Sequence, residues 1–255
     1  TISHTMQLAH TMLRVRDLEA SLDFYTDFLN LREVRRKVLG DEATLVFLTD
    51  ASGHYHLELT HNHDGRDYEL GNQFGHIALI THDLDAVRQT VIDKGWWYRE
   101  SKTTSNSRYI FVHDPDGYDI EILQAKSAET VSVEHANITV KSIERSIKFF
   151  QTAFPDWQVR DQGESDRKWL HFGCATDYMA LEEARVDQPL ERGEYMRPDI
   201  NHVGFAVSDL AAIKGRLLAA AYTEGIPVEP DEERLRAYFF DEDGFEWEFI
   251  EYLLK

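Results

Sequence analysis

The sequence predicts an α+β fold of four strand–helix–strands units, and three repeated segments show that these units arise from a tandem duplication. DPDGYDIE at residues 114–121 recurs as DEDGFEWE at residues 241–248, 127 positions later. QFGHIALITHDL, ending at Leu84, recurs as DINHVGFAVSDL, ending at Leu210, 126 positions later. AHTMLRVRDLEASLDFYTDFL at residues 9–29 matches EHANITVKSIERSIKFFQTAF at residues 134–154, 125 positions later. Nearly equal offsets at three places indicate two related halves.

Each half divides again into two units, because a strand that carries a histidine precedes an amphipathic helix in every quarter of the chain. Asp17, Asp83 and Ser142 are expected helix caps, and Gly95 is an expected helix stop. The apolar faces are Leu18, Leu22, Tyr25 and Leu29; Leu84, Val87 and Val91; Ile143, Ile147, Phe150 and Phe154; and Leu210, Ile213 and Leu217 before Gly225.

Alternating strands follow each helix, and strands outnumber helices, which favours the α+β class. Asp116-Gly117 and Asp243-Gly244 come directly before the last strand of each half, where a hairpin turn is needed. The repeat predicts one domain at residues 1–125, a second at residues 131–255, and a linker at residues 126–130.

Composition limits the kind of protein and its partners. With 255 residues, 42% of them hydrophobic, the chain can bury a substantial core. Its one cysteine, Cys174, leaves histidine and carboxylates as the residues for any metal site. A net charge of −19 argues against nucleic acid as a partner. No apolar run approaches the roughly 20 residues of a membrane helix and no signal peptide is evident, so we expect a cytoplasmic protein without a membrane partner.

Eight repeated residues carry the expected chemistry. The order His, Glu, His, Glu occurs twice, with gaps of 48, 18 and 45 residues and then of 47, 20 and 46. Buried glutamates need a partner, and strands such as YDIEIL place the acid among apolar neighbours. A divalent metal ion supplies that partner. The eight residues are His10, Glu58, His76, Glu121, His135, Glu182, His202 and Glu248.

HTMLRV at residue 10, FYTDFL at 24, LELTHN at 57, YELGNQFGHIAL at 68 and DPDGYDIE at 114 resemble glyoxalase I, lactoylglutathione lyase, of the vicinal oxygen chelate superfamily. The first half resembles it nearly end to end, and the whole chain resembles the two-domain forms. The resemblance implies four βαβββ modules and an octahedral divalent ion, with nickel or cobalt favoured and zinc as an alternative. Monomer and homodimer both stay open.

The resemblance further implies that each metal site takes two ligands from each of two modules. One pairing joins His10 and Glu58 with His202 and Glu248, and likewise joins His135 and Glu182 with His76 and Glu121. The other pairing joins the modules within each half. The resemblance implies that the last glutamate of each site, Glu248 or Glu121, is the catalytic base, and that Glu58 and Glu182 assist or serve as ligands only.

The activity implied is isomerisation of the hemithioacetal of methylglyoxal and glutathione to S-lactoylglutathione, through an enediolate that a divalent ion stabilises. The small-molecule substrate would be anchored by Arg14 and Asn62. Their counterparts are Thr139 and Val186, so only the site that uses His10 and Glu58 is expected to process glutathione adducts. Two alternatives are a non-haem iron extradiol dioxygenase that uses His135, His202 and Glu248, and a non-catalytic metal- or ligand-binding relative.

Overall fold

The computed structural model describes residues 6–102, 107–126, 132–190 and 202–253. The linker predicted at residues 126–130 lies almost wholly outside these residues. The described elements, in chain order, are β1 (Gln7–Arg14), α1 (Leu18–Leu22), a π-helical turn (Asp23–Phe28), β2 (Arg32–Leu39), β3 (Ala43–Thr49), β4 (His56–Asn62), β5 (Phe74–Thr81), α2 (Leu84–Asp93), β6 (Tyr98–Glu100), β7 (Tyr109–His113), β8 (Asp119–Gln124), β9 (Val133–Val140), α3 (Ile143–Ala153), β10 (Gln158–Glu164), β11 (Lys168–Gly173), β12 (Tyr178–Glu183), β13 (His202–Ala206), α4 (Leu210–Ala219), β14 (Arg234–Phe240) and β15 (Glu246–Tyr252).

This order confirms the α+β class. The first three modules each have the order βαβββ, whereas the fourth has two regular strands after its helix, α4. An isolated bridge between Glu224 and Phe239 takes the place of the missing strand. Pro227 and Pro230 follow that bridge, and proline cannot donate a hydrogen bond to a neighbouring strand.

The described residues form two compact units, which are not the two halves of the sequence repeat. The first unit contains residues up to 12, residues 68–74 and residues from 137 onward, and the second contains residues 13–67 and 75–136. The boundaries therefore run through β1 and β9 and fall after the first residue of β5. The domain limits predicted from the repeat stay a prediction about the two homologous halves.

The first unit contains the strand order β14-β15-β13-β1 and the strand order β10-β11-β12-β9. β13 and β15 are parallel, and β13 pairs antiparallel with β1. Its core is aromatic: Phe150 stacks on Trp157 at 5.0 Å between ring centroids, and Phe205 stacks on Trp247 at 5.7 Å. This packing holds β13 and β15 rigidly, and both strands carry predicted ligands.

The second unit contains the orders β4-β3-β2 and β5-β8-β7-β6, in which β5 and β8 are parallel. Its core is largely aliphatic and includes Leu13, Leu48, Leu57 and Ile120, all fully buried. β5 and β8 lie side by side and carry one predicted ligand each, as β13 and β15 do in the first unit.

The helix boundaries follow local chemistry. Asp17, Asp83 and Ser142 each accept a hydrogen bond from the backbone N–H three residues later, which confirms the three predicted caps. Gly95 has φ +67°, as a helix stop requires. α4 ends earlier than Gly225, with Ala221 at φ +65° in the corresponding position.

The first helix differs from the regular helix that the sequence predicts as far as Leu29. It is α-helical only to Leu22 and then widens into a π-helical turn in which the Leu29 N–H donates to the Phe24 carbonyl, five residues back. The wider turn contains the buried neighbours Phe24 and Tyr25. Such turns are frequent at functional positions.

Candidate metal centres

The first unit brings together three of the predicted ligands on adjacent strands. Nε2 of His10 on β1 lies 2.7 Å from Oε2 of Glu248 on β15, and Nε2 of His202 on β13 lies 3.0 Å from the same oxygen. The two Nε2 atoms are 3.1 Å apart. A register shift in β1 between Leu8 and His10 alters the pairing at this point, as bulges do where a side chain is re-aimed. We name His10, His202 and Glu248 the first cluster.

Gly204 leaves the space that the His10 ring occupies. It pairs with His10 across β13 and β1, and a Cβ atom at this position would lie only 2.5 Å from Cε1 of the ring. Glycine is therefore required for His10 to approach the β13 backbone so closely. The repeat places Ala78 at the corresponding position of the other half.

The second unit holds an equivalent arrangement, which we name the second cluster: His76 on β5, Glu121 on β8 and His135 on β9. Oε2 of Glu121 lies 2.9 Å from Nε2 of His76 and 3.3 Å from Nε2 of His135, and these two nitrogens are 3.2 Å apart. All three residues are buried. The second cluster also has an outer carboxylate, because Oε1 of Glu134 lies 3.2 Å from Nδ1 of His135.

Burial and charge act against each other at these carboxylates. Burial raises the pKa of Glu248, but the nearby imidazoles of His10 and His202 lower it by more. The pKa of Glu248 therefore lies well below its ordinary value. The same balance lowers the pKa of Glu121 beside His76 and His135. Burial lowers the pKa of His135, but Glu121 and Glu134 raise it to about 9. Both glutamates are therefore anionic, and metal binding at the second cluster requires His135 to release its proton.

The other two predicted ligands are Glu58 and Glu182. Glu58 is on β4 in the second unit, opposite Phe47 of β3. Glu182 is on β12 in the first unit, where its Oε2 lies 2.6 Å from a guanidinium nitrogen of Arg167. Each belongs to the unit other than the one that holds its predicted partners, so their role as ligands stays a prediction.

Arg14 and Asn62, the predicted substrate-binding residues, contact each other in the second unit. An Arg14 guanidinium nitrogen donates to Oδ1 of Asn62, and the Tyr118 hydroxyl donates to the Arg14 backbone carbonyl at 3.1 Å. Their counterparts in the other half differ in character: Thr139 is buried, whereas Val186 is fully exposed. A matching pair is therefore absent at these two positions of the other half.

Sequence reasoning missed three residues: Gly204 and Glu134, which contact cluster histidines, and Arg167, which pairs with the predicted ligand Glu182. Comparing the two halves could have found Gly204 and Glu134, because the repeat aligns Gly204 with Ala78 and Glu134 with Ala9. Arg167 gives no comparable signal, because it lies on an irregular turn before β11 and meets Glu182 only in the folded chain.

The two clusters fit a divalent metal ion. Donor atoms bound at about 2.1 Å to one ion with near-octahedral geometry lie about 3 Å apart. The separations of 2.7–3.1 Å in the first cluster and 2.9–3.3 Å in the second agree with this value. Imidazole with carboxylate suits nickel, cobalt, zinc and ferrous iron.

Fold and clusters together define a duplicated α+β protein with two candidate metal centres of the His, His, Glu type. A profile of the Glyoxalase/Bleomycin resistance protein/Dioxygenase superfamily matches residues 7–122 and 132–249. The chain belongs to this superfamily. The recognition made from its motifs is thereby confirmed, as is its description as a lactoylglutathione lyase-like enzyme.

Known relatives support the same assignment. The chain is 42% identical over 130 residues to a lactoylglutathione lyase of Neisseria meningitidis serogroup A, covering 94% of that protein and 49% of this chain. It is also 42% identical over 128 residues to a probable lactoylglutathione lyase of Synechocystis, covering 98% of that protein and 48% of this chain.

Two solved structures share the fold over nearly the whole chain. The crystal structure of glyoxalase I from Zea mays has a TM-score of 0.81 at 21% identity, covering 97% of this chain and 93% of that one. A putative dioxygenase from Bacillus subtilis has a TM-score of 0.76 at 16% identity, covering 97% of this chain and 85% of that one. Within the described residues, no helix is long and apolar enough to cross a membrane.

Proposed function

We propose that the chain is a metal-dependent lactoylglutathione lyase that converts the methylglyoxal–glutathione hemithioacetal to S-lactoylglutathione. Glu248 carries the proposal: this buried carboxylate lies within 3.0 Å of imidazole nitrogens from two neighbouring strands. The lactoylglutathione lyases of Neisseria and the similar Synechocystis protein supply the substrate class. Nickel or cobalt is the proposed ion, and zinc is the alternative.

The reaction moves a proton between neighbouring carbons of the substrate. A bound divalent ion would supply Lewis-acid stabilisation of the negative charge that develops on the substrate oxygens. In our proposal, Glu248 removes the proton from the carbon beside the carbonyl and returns it to the adjacent carbon. The neighbouring strands β1, β13 and β15 hold the cluster in place, which keeps the base aligned during both transfers.

We further propose that the two centres are unequal. Arg14 and Asn62 would bind the carboxylate and amide groups of glutathione, because a guanidinium and a side-chain amide offer matching donors and an acceptor. Glu58 would complete the first centre as fourth ligand. Glu182 would have this role in the second centre, where its ion pair with Arg167 competes with the metal. The second centre would then bind metal but process glutathione adducts poorly.

The test is to strip the protein of metal and reload it separately with nickel, cobalt, zinc and ferrous iron while following S-lactoylglutathione formation. We expect activity with nickel or cobalt. Glu248→Gln should abolish this activity, whereas Glu121→Gln should leave most of it. Equal losses in the two variants would contradict the proposed inequality. No product with any of the four metals would reject the lyase assignment.

A second function is favoured by one observation: each cluster consists of two histidines and one glutamate, as in ferrous oxygenases. The particular triad expected for a dioxygenase is divided, however. His135 belongs to the second cluster, and His202 and Glu248 belong to the first. Oxygen consumption by the iron-loaded protein with a catechol would establish this alternative, and Glu58 as a fourth ligand would oppose it by occupying an open position.

A further inference from the structure

A large groove in the second unit lies away from the metal-cluster residues. It measures about 710 Å³ and lies between the π-helical turn and α2. Phe24, Phe28 and Trp96 form an aromatic surface in it, with ring centroids 5.0–5.7 Å apart. None of the residues that line it belongs to a cluster or to the proposed glutathione anchor. We name this space the helix groove.

The first unit shows what fills the corresponding space. The repeat aligns Thr90 of α2 with Arg216 of α4 and aligns residues 27 and 28 with residues 152 and 153. The Arg216 guanidinium donates to the carbonyl of Thr152 at 3.0 Å and to that of Ala153 at 2.8 Å. A cation is favourable there, because carbonyl groups at a helix C-terminus carry partial negative charge.

The second unit lacks this internal cation at the aligned position. Thr90 is too short to cross the groove, and its hydroxyl donates instead to the Ala86 carbonyl of its own helix at 3.1 Å. Arg216 lines a cavity of about 270 Å³ in the first unit, and this cavity shares only part of its lining with the positions that align with the helix groove. The second unit therefore has threonine at the position from which Arg216 reaches the helix end in the first unit.

Charge and ring chemistry at the helix groove suit a cation. Asp23 and Asp27 both line the groove, at positions where the other half has Lys148 and Thr152. No basic residue lies in the last turn of the π-helical segment. Lys94 already places its ammonium group over the Trp96 ring, 5.1 Å from the centroid, which shows that a cation is accommodated beside these aromatic faces.

We propose that the helix groove binds a small organic cation, namely a guanidinium or amidinium group attached to a flat apolar body. The cationic group takes the place that Arg216 occupies in the first unit, between the helix end and the Asp27 carboxylate. The apolar body lies against Phe28 and Trp96. This site is separate from the proposed lyase chemistry and does not depend on it.

Benzamidine and benzamide provide a direct test, because they have nearly the same shape and differ in charge. Titration of the metal-loaded protein, followed by calorimetry and by Trp fluorescence, should show binding of benzamidine at least tenfold tighter than that of benzamide. Asp27→Asn should weaken the binding of benzamidine by about two- to fivefold, as expected for the loss of one exposed charge pair. Equal affinities for the two compounds would overturn the proposal.

Thr90→Arg is the decisive variant, since it introduces the residue found in the first unit. It should abolish benzamidine binding while the metal content stays unchanged. Gln89→Arg is the matched control, because it adds the same charge at the adjacent exposed position and should retain binding. If Thr90→Arg binds benzamidine as tightly as the unaltered protein, the cation does not occupy the Arg216-like position and the proposal is wrong.

Discussion

Replacing Gly204 by alanine tests whether the first metal centre depends on close approach of His10 to β13. The added Cβ would lie 2.5 Å from Cε1, 2.8 Å from Nδ1 and 2.9 Å from Nε2 of the His10 ring, whereas ordinary contact begins at 3.4 Å. The ring must therefore move by about 0.9 Å, which is 3.4 minus 2.5 Å. Metal–ligand distances tolerate only about ±0.2 Å. We expect the first centre to lose its metal.

Metal content per chain, measured by mass spectrometry after equilibration with a weak chelator, should fall by one ion in Gly204→Ala. Overpacking should also lower the free energy of unfolding by about 1–3 kcal/mol. The matched control is Gly215→Ala at an exposed position of α4, where no atom lies within 4 Å of the added Cβ. That substitution should stabilise the helix by about 0.5–1 kcal/mol. Full metal content and activity in Gly204→Ala would refute the steric reasoning.

Three other outcomes are expected. Burial raises the pKa of Asp114 to about 7, even though a hydrogen bond from the Tyr25 hydroxyl opposes the shift. The folded state then retains a proton that the unfolded state loses above about pH 4, so this stabilisation is lost as pH rises through about 7. Asp241 also has a raised pKa of about 7, so Asp114→Asn should remove part of the pH dependence of urea unfolding between about pH 4 and 7, and an unchanged slope would contradict this. Asp241→Asn should instead lower the free energy of unfolding by about 1–3 kcal/mol in the same assay, because the new amide would face the donor Nε1–H of Trp247, which lies 3.0 Å from the Asp241 carboxylate. Stability equal to that of Asp114→Asn would argue against this contact. Removing metal with a strong chelator should lower the melting temperature by about 5–10 °C for each bound ion that is present at about 100 times its Kd. An unchanged melting temperature would show that no metal stabilises the fold.

Local features of the fold could be predicted from the sequence because their causes lie within a few residues. Asp17, Asp83 and Ser142 cap helices that begin one residue later, so the stabilising N–H groups are always nearby. Gly117 and Gly244 have φ of +94° and +75°, as the predicted Asp-Gly turns require. The π-helical turn was missed because the apolar spacing over its six residues is also compatible with an α-helix.

For the candidate centres, only the residue types of the ligands could be predicted from the sequence. The repeat singled out histidine and glutamate, but the choice between two module pairings needs contacts far apart in the chain, such as that of His10 with Glu248. The described contacts unite the first and fourth modules at one cluster and the second and third modules at the other. Ligand types follow from the sequence, whereas their grouping follows from strand order.

The sequence by itself determined the duplication, the fold class, the superfamily and the residue types available to a metal, because each of these is written in periodicity or in short motifs. Only the tertiary structure showed that Gly204 makes room for His10, that Arg167 engages Glu182, and that Arg216 fills a space left open beside Thr90. These depend on separations of a few ångströms between residues distant in the chain. Such separations are set by packing of the whole core, which no local pattern encodes.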